Sequence, residues 1–322
     1  MPEWLVERGI GETRAALVDE GEIIEARVEL EGTVPAGAIL PARLTNAGTN
    51  GRNAVAVSQD GTEYLLPRGA PGVAEGAALN IEVTREAIPG SEPWKRPMAK
   101  ATDEPVQEPP PLERRLNARE LTFPGARDEL GRAGWEDVLE QARSGVIGFG
   151  SGELRVFVTP AMTLIDVDGF LPPEELAVHG AAEAARSIRR LDIGGSIGID
   201  LPTAGSKAAR QRAAAAIDEH LPQPFERTAV NGFGFVQIVR PRQRASLVEL
   251  AQDRAAFEAR ALLRRIAFDR AGAKRLVAHP AVIAVIEPRS DWIEALSRQV
   301  GGAIELRGEP ALPMSGGYAE KL

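Results

Sequence analysis

Residues 163–203 constrain the fold of this 322-residue chain more than any other stretch. Residues 163–167 are a short apolar run with β-branched side chains, which is typical of a strand. Residues 175–190 repeat apolar positions at helical intervals, and a glycine pair then precedes a second apolar run at 196–199. A strand, a helix and a strand in this order predict a βαβ unit with parallel strands, and therefore an α/β fold of mixed α+β character.

Three carboxylates lie where these two strands end. Asp166 and Asp168 are two residues apart, so in an extended strand their side chains leave the same face, and Asp200 follows the second strand. Functional groups of open α/β sheets gather at the carboxyl ends of strands, so we predict that all three form one site. Oxygen ligands without Cys or His nearby favour Mg²⁺, with Mn²⁺ as an alternative, over zinc. An Asp-x-Asp-Gly sequence is also often a simple turn in which the acid caps the loop, and this alternative stays open.

Three segments of the chain, in the same order, resemble the ribonuclease E/G family. Residues 164–169 followed by 186–202 are similar to its catalytic segment, a strand reading I-D-[IV]-N, a helix, and then R-L-x-x-[LI]-G-G-x-[IV]-[IV]-[IV]-D-F. Residues 12–18 resemble the family's opening E-T-R-V-A-L-V, and residues 231–240 resemble its segment F-G-L-[VL]-E-[ML]-[TS]-R. The resemblance covers most of the chain and implies a ribonuclease E/G-like catalytic core.

The resemblance implies a Mg²⁺-dependent endoribonuclease, a hydrolase that cleaves single-stranded RNA by metal-assisted phosphodiester hydrolysis in RNA processing or decay. Asp166 and Asp200 would hold the metal ion, and the catalytic residues would be Asp166, Asp168 and Asp200. Asp168 stands where the family has Asn, so its extra negative charge either binds the metal or misplaces the attacking water.

The same resemblance assigns further residues to RNA contacts. Arg190 and Arg240 occupy family positions and Arg242 lies in the same basic cluster; planar guanidinium groups bind phosphate oxygens two at a time. The alternative for such arginines is an ordinary solvated surface. Phe233 would stack on a base near the cut, and a core position is its alternative.

Residues 34–90 contain short β-rich runs separated by Gly, Asn and Pro, which predicts a small β-barrel. By place and pattern this stretch resembles the family's inserted OB-fold RNA-binding module, and residues 61–67 resemble its G-x-x-G-F-L-P loop. The resemblance makes Tyr64 a base-stacking residue, whereas its apolar neighbours fit a core position equally well.

The rest of the chain divides around these segments. The predicted parts are an N-terminal β-hairpin of the catalytic core at 1–33, a Pro-rich linker at 91–124, a catalytic α/β domain at 125–248 and a small C-terminal α/β domain at 249–322. The linker is too short for the family's 5′-monophosphate sensor, so we expect weak or no 5′-end sensing. Within it, Trp94, Lys95, Arg96 and Lys100 could instead contact a phosphate backbone.

The C-terminal domain resembles a small domain that mediates dimer contacts in members of the family, so a homodimer is expected. Its predicted elements are, in order, a helix at 251–268, a strand at 281–286, a helix at 292–300 and a strand at 303–307.

Composition adds limits to the class of protein. The chain has no cysteine, which excludes disulfides, zinc–thiolate sites and the family's Cys-x-x-Cys zinc link. The formal net charge of -8 argues mildly against a nucleic-acid partner, although residues 186–190 and 240–244 are local basic runs. The hydrophobic content of 43% is ample for buried cores, and the first residues show neither a signal peptide nor a spanning segment. We therefore expect a soluble, cytoplasmic protein with no membrane partner.

Two other functions stay open on the sequence alone. A non-catalytic RNA-binding or regulatory relative would keep the fold and bind RNA without cleaving it. A phosphoesterase acting on another substrate, such as DNA or a nucleotide, would use the same carboxylates.

Overall fold

The structure is a computed structural model that describes residues 1–89 and 95–322. Its strands are β1 (Glu3–Arg8), β2 (Glu12–Asp19), β3 (Glu22–Leu30), β4 (Ile39–Asn46), β5 (Ala54–Ser58), β6 (Glu63–Leu66), β7 (Ala78–Arg85), β8 (Met98–Thr102), β9 (Arg119–Leu121), β10 (Val146–Phe149), β11 (Gly152–Val158), β12 (Thr163–Gly169), β13 (Gly195–Asp200), β14 (Glu226–Arg227), β15 (Phe235–Arg240), β16 (Lys274–Ala278), β17 (Ile304–Gly308) and β18 (Tyr318–Lys321). Its helices are α1 (Leu112–Leu116), α2 (Glu129–Arg132), α3 (Trp135–Ser144), α4 (Pro173–Arg190), α5 (Lys207–His220), α6 (Leu247–Leu250), α7 (Arg254–Ala267), α8 (Pro280–Ile286) and α9 (Ser290–Val300), with a 3₁₀ turn at Met314–Gly316. The mixture of helices and strands confirms the predicted α/β class. Within these residues, no helix combines the length and the apolar character needed to cross a bilayer.

Contacts between elements divide the chain into two compact units. The first unit contains Met1–Glu31, Leu112–Arg143 and Leu250–Leu322, and the second contains Gly32–Pro111 and Ser144–Glu249. The predicted N-terminal hairpin therefore groups with residues of the predicted C-terminal domain, and not with the six-stranded sheet that carries the carboxylates.

The first unit contains two sheets and a helical layer. A four-stranded sheet has the order β3-β2-β1-β9, in which β9 is parallel to β1, and a three-stranded sheet has the order β17-β16-β18. Helices α7, α8 and α9 supply an apolar core that includes Leu262, Leu263, Val282 and Leu296. Both the first and the last part of the chain thus contribute to this unit.

A group of buried charges links β1 and β2 to α7 in the first unit. Arg14 and Arg264 both donate to Glu7 Oε1, at 2.5 Å and 3.0 Å, and Arg264 also donates to Asp128 Oδ1 at 2.5 Å. The side chains of Glu7, Arg14 and Arg264 are 2%, 0% and 1% exposed. Burying an ion is unfavourable unless it is paired, so each of these charges depends on its partners.

The predicted strand at 281–286 is wrong, because these residues lie in α8. Pro280 occupies the first turn of α8, where its missing N–H is not needed, and His279 Nδ1 accepts from Ala281 N at 3.1 Å. Val282, Ile283 and Ile286 then face the core at helical spacing. The strand of this region is β16, while α7, α9 and β17 lie close to their predicted positions.

In the second unit, five strands close a barrel in the order β4-β5-β6-β8-β7. Tyr64 lies in the barrel core with Leu44, Leu66 and Ile81 and is 2% exposed. The alternation of β6 explains this, because Tyr64 and Leu66 are two apart and point inward while Glu63 is exposed. The base-stacking role predicted for Tyr64 is therefore wrong, and its core alternative is correct.

The predicted linker at 91–124 contains regular structure. β8 lies between β6 and β7 in the barrel and buries Ala99, α1 buries Leu112, and β9 pairs with β1. Prolines on both sides of these short elements hide them from sequence reasoning. Residues 90–94, and with them the predicted contact of Trp94, lie outside the described residues, while Arg96 and Lys100 pair with acidic side chains of the barrel.

The second unit also contains a six-stranded sheet of order β10-β11-β12-β13-β15-β14. β12 and β13 are parallel neighbours connected by α4, which confirms the predicted βαβ unit. One face of the sheet packs on α4, because a Cβ added to Gly180 would lie 2.3 Å from Val167 Cγ1, so this close approach requires glycine. The other face carries the alternate residues of β12, including Asp166 and Asp168.

Candidate active site

Strand register places the three predicted carboxylates on one face of the six-stranded sheet. Asp166 on β12 is the partner of Asp200 on β13, and paired residues of neighbouring strands point to the same side. Asp168 lies two residues beyond Asp166 and shares that face. Asp168 and Asp200 are exposed and Asp166 is half-buried. The structure therefore brings together the three residues that the sequence predicted for one site.

Alternation along the strands explains why the carboxylates point away from α4. Ile165 and Val167 of β12 are buried on the helix side, which leaves the residues between them for the open face. Gly198 of β13 makes room on that open face, because a Cβ there would lie 2.6 Å from the Phe235 ring and 2.9 Å from Leu164 Cδ2. Phe235 and Leu164 thus form an apolar floor beside the carboxylates.

Arg155 is the positive group next to the carboxylates, and sequence reasoning missed it. It lies on β11 as the partner of Asp166, and the next pair on this face is Glu153 with Asp168. Arg155 Nε and Nη2 donate to Glu153 Oε1 at 2.8 Å and 2.5 Å. An arginine alternating with apolar residues was the available signal, but only the register shows that it stands beside Asp166.

The carboxylates of this site repel one another. Burial raises the pKa of Asp166 above its ordinary value of 3.8, and the negative charges of Asp168 and Asp200 raise it further, while Arg155 acts in the opposite direction. Two like unit charges about 4 Å apart interact by about 4 kcal/mol at an effective dielectric of 20. Such a cluster favours a nearby cation.

The donor chemistry fits a hydrated Mg²⁺ ion. Carboxylate oxygens suit Mg²⁺, which usually keeps several waters and binds one or two carboxylates. Among residues 1–89 and 95–322, no group of three or more His, Cys, Asp or Glu side chains is arranged to hold a metal ion. Asp166 and Asp200, which are register partners, are the two carboxylates that could hold such an ion side by side, and Asp168 lies beside them.

Phe233 lies in a tight loop just before β15. Asn231 Oδ1 accepts from Phe233 N at 2.9 Å, and Thr203 Oγ1 donates to Phe233 O at 3.2 Å. Gly234 has a φ of +96°, and a Cβ there would lie 2.1 Å from Leu201 O, so the loop requires glycine at this position. The ring of Phe233 is 84% exposed, which rules out the core alternative and leaves the ring free to contact a ligand.

Phe170 is a second exposed aromatic residue at this end of the strands, and sequence reasoning missed it as well. It follows β12, two residues after Asp168, and its N–H donates to Ser151 O at 3.3 Å. Its ring is 77% exposed. The available signal was its position between the end of a strand and the start of α4, where a large apolar side chain has no helix or strand face to join.

The predicted phosphate-binding arginines lie at the other end of the sheet. Arg240 is the partner of Gly195, the first residue of β13, whereas Asp200 is the last, so five residues or about 16 Å of strand separate these two positions. Arg190 ends α4, which leads into that same first residue of β13. The structure does not bring Arg190, Arg240 or Arg242 to the carboxylates.

Each of these arginines also has a partner within the second unit. The contacts are Arg190 Nη2 with Glu183 Oε1 at 3.8 Å, Arg240 Nη1 with Ile193 O at 3.2 Å, and Arg242 with Glu249. The first contact lies within α4, the second joins the end of β15 to the residues just before β13, and the third lies within the segment that follows β15. An RNA contact at this end of the sheet stays a prediction that is separate from the carboxylate site.

No family model matches this sequence, and no curated protein matches it.

Proposed function

We propose that the protein is a cytoplasmic, Mg²⁺-dependent endoribonuclease that cleaves single-stranded RNA, as the resemblance to the ribonuclease E/G family implies. The observation that carries the proposal is the in-register pair of Asp166 and Asp200 on an exposed sheet face, with Asp168 beside it. Carboxylates at the carboxyl ends of parallel strands are accessible to a polymer, and carboxylate-bound Mg²⁺ serves phosphate chemistry.

Each residue of the site has a role in this proposal. Asp166 and Asp200 would hold the ion, which when bound would supply charge neutralisation at the scissile phosphate and activation of water. Arg155 binds a phosphate oxygen, and Glu153 fixes the orientation of its guanidinium group. Asp168, which stands where the family has Asn, accepts a hydrogen bond from the attacking water.

The five-stranded barrel is the proposed OB-fold module that contacts RNA away from the cut. It belongs to the same compact unit as the six-stranded sheet, and Glu86 N, just after β7, donates to Gln243 O at 2.8 Å. RNA binding would then weaken with salt, by a log-log slope of about 0.7 per phosphate contacted. A homodimer through residues 249–322 is a further part of the proposal, and sedimentation of the intact protein tests it.

The test is cleavage of a short, fluorescently labelled single-stranded RNA in Mg²⁺, Mn²⁺ or EDTA by wild type, Asp166→Ala and Asp200→Ala. Metal-dependent cleavage that both substitutions abolish is the expected result. Asp218→Ala is the matched control, because Asp218 is an exposed carboxylate on α5 that pairs with Arg227 and lies outside the site. Cleavage that persists in both site variants would overturn the proposal.

A non-catalytic RNA-binding protein is the second candidate function. One observation favours it, namely that Asp168 stands where the family has Asn and adds a third negative charge beside Asp166 and Asp200. This candidate predicts that folded wild type binds the labelled RNA and leaves it intact in every metal. It also predicts that Asp168→Asn, which restores the family's residue, increases cleavage.

A further inference from the structure

Phe170 and Phe233 are the most exposed aromatic side chains in the part of the chain that the structure describes, at 77% and 84%. An exposed phenylalanine ring is apolar surface that gains free energy when a ligand covers it. A single exposed ring needs no explanation, but these two rings lie at the same end of the strands as the carboxylates.

The topology places one ring on each side of β13. Phe170 directly follows β12, and Phe233 lies two residues before Phe235, which is the partner of Asp200. β13 lies between β12 and β15 in the sheet, and β15 is antiparallel to β13. The end of β12 and the start of β15 therefore flank the end of β13, where Asp200 lies.

Both rings are attached to backbone that is held in place. Phe233 is fixed by Asn231, by Thr203 and by the glycine-dependent contact of Gly234 described above. The N–H of Phe170 donates to Ser151 O in the turn between β10 and β11. A ring on fixed backbone loses little conformational freedom when it binds, so both rings are suited to hold a ligand.

The negative charge of the site indicates which part of a polynucleotide these rings bind. Three carboxylates face the ligand, and their negative charge offsets the attraction that the neighbouring Arg155, which is shared with Glu153, exerts on a phosphate. Binding must draw on another part of the nucleotide. Aromatic rings stack on bases of every type, which supplies affinity without reading the sequence.

We propose that Phe170 and Phe233 stack on the two unpaired bases that flank the phosphate held at Asp166 and Asp200. This inference rests on the proposed function and adds how the substrate is recognised, by base faces and not by base edges. Cleavage is then tolerant of base identity and requires a base on each side of the cut. A protein partner fits this end of the sheet less well, because the centres of protein interfaces are depleted in Asp and Glu, whereas three aspartates lie at the same end of the sheet as the rings.

The test is a scan of abasic nucleotides along a short single-stranded RNA, with affinity measured by fluorescence anisotropy in Ca²⁺ in place of Mg²⁺. With wild type, two positions of the scan should weaken binding by about 5-fold or more each, which is the loss of one stacked base. Phe170→Ala should remove the penalty at one of these positions and Phe233→Ala the penalty at the other. Both variants should bind the complete RNA about 5-fold or more weakly than the wild-type protein does. Each variant should have the same melting temperature as the wild-type protein.

Phe157→Ala is the matched control. Phe157 is 52% exposed on the same open face, but it is the partner of Leu164, two residues before Asp166 and away from the edge. Its substitution should leave the affinity and both abasic penalties unchanged. An equal loss in Phe157→Ala, or abasic penalties that persist in Phe170→Ala and Phe233→Ala, would overturn the inference.

These measurements distinguish a failure of the stacking inference from a failure of the proposed nuclease activity. If wild type cleaves RNA but shows no position-dependent abasic penalty, the stacking inference is overturned and the nuclease stands. If the two penalties are found and each is lost in its Phe variant while no metal supports cleavage, the inference stands and the nuclease is overturned. Absence of RNA binding would overturn both.

Discussion

Asp166 and Asp200 are partners in the parallel register of β12 and β13, so two carboxylates separated in the chain by all of α4 leave the sheet side by side. The same register puts Arg155 next to Asp166 on the other side. The row Arg155, Asp166 and Asp200 therefore places one cationic group and two anionic groups on three adjacent strands.

Arg155→Gln should lower the rate of RNA cleavage by roughly 10-fold or more, because a hydrogen bond to a charged group contributes about 1.5–3 kcal/mol. The measurement is kcat/KM with the labelled single-stranded RNA. Arg275→Gln is the control, since Arg275 likewise pairs with a glutamate, Glu305 at 2.9 Å, but lies in the first unit. Equal rates for wild type and Arg155→Gln would show that Arg155 does not contact the phosphate.

Tyr64→Ala should lower the free energy of unfolding by about 3–5 kcal/mol, because it removes a large side chain from the barrel core. Tyr64→Phe keeps the ring and should leave RNA affinity unchanged. Urea denaturation and anisotropy measure the two quantities. If Tyr64→Phe binds RNA several-fold more weakly than wild type while its stability is unchanged, the hydroxyl contacts RNA and the core assignment is incomplete.

Asp60 should stabilise the turn between β5 and β6 in a pH-dependent way. Hydrogen bonds from the Ser58 hydroxyl and the Thr62 N–H lower the pKa of Asp60 from its ordinary value of 3.8. A carboxyl with a lowered folded-state pKa contributes stability that is complete above pH 3.8 and is lost as the pH falls from there through the folded-state pKa. Asp60→Asn should therefore be less stable than wild type at pH 7, by roughly 0.5–1 kcal/mol for this exposed group, and equally stable near pH 2.

The control for this prediction is Ser58→Ala, which removes the Ser58 hydroxyl as a donor to Asp60. It should reproduce part of the loss at pH 7, and its difference from wild type should also shrink in acid. A difference between wild type and Asp60→Asn that stays constant from pH 7 to pH 2 in urea denaturation would contradict the assigned hydrogen bonds.

Arg264→Ala should destabilise the first unit by about 3–5 kcal/mol, because it leaves Glu7 buried with one partner fewer and removes the contact to Asp128. Arg298→Ala is the control, since Arg298 is 72% exposed on α9 and lies 3.7 Å from Glu294 one turn away. That surface pair should contribute no more than about 0.5 kcal/mol. Thermal unfolding of the two variants side by side measures the difference, and a similar melting temperature for both would contradict the buried network.

Local signals predicted the centre of the site well. The spacing of apolar residues in β12, α4 and β13 is a local signal that the sequence shows directly. Because the strands of a βαβ unit are parallel, the proximity of Asp166 to Asp200 follows from the sequence. The position of Arg240 does not follow in the same way. Its segment was recognised, but β15 runs antiparallel to β13, so the arginine at its end lies opposite Gly195 and far from Asp200.

Other parts depended on contacts that the sequence does not display. The run at 281–286 is apolar at nearly every position, so its sequence fits a strand or a helix equally well. In the structure His279 caps the first turn of α8 by accepting a hydrogen bond from Ala281 N, which stabilises the helix. β8 is five residues long between proline-rich stretches, and its place in the barrel is fixed by pairing with β7. Phe170 gave no periodic signal, because it belongs to no helix or strand.

The pairing of Glu7 with Arg264 has a consequence for the order in which the protein is made. The two residues are 257 positions apart, so the first strand leaves the ribosome long before the arginine that neutralises its buried acid has been translated. Closing so long a loop is slow and carries an entropic cost. The second unit can gather its barrel and six-stranded sheet during synthesis, whereas the first unit has to wait for α7. A nascent chain released before α7 would keep Glu7 and Arg14 without Arg264, so β1 and β2 would reach their final packing only after α7 is made.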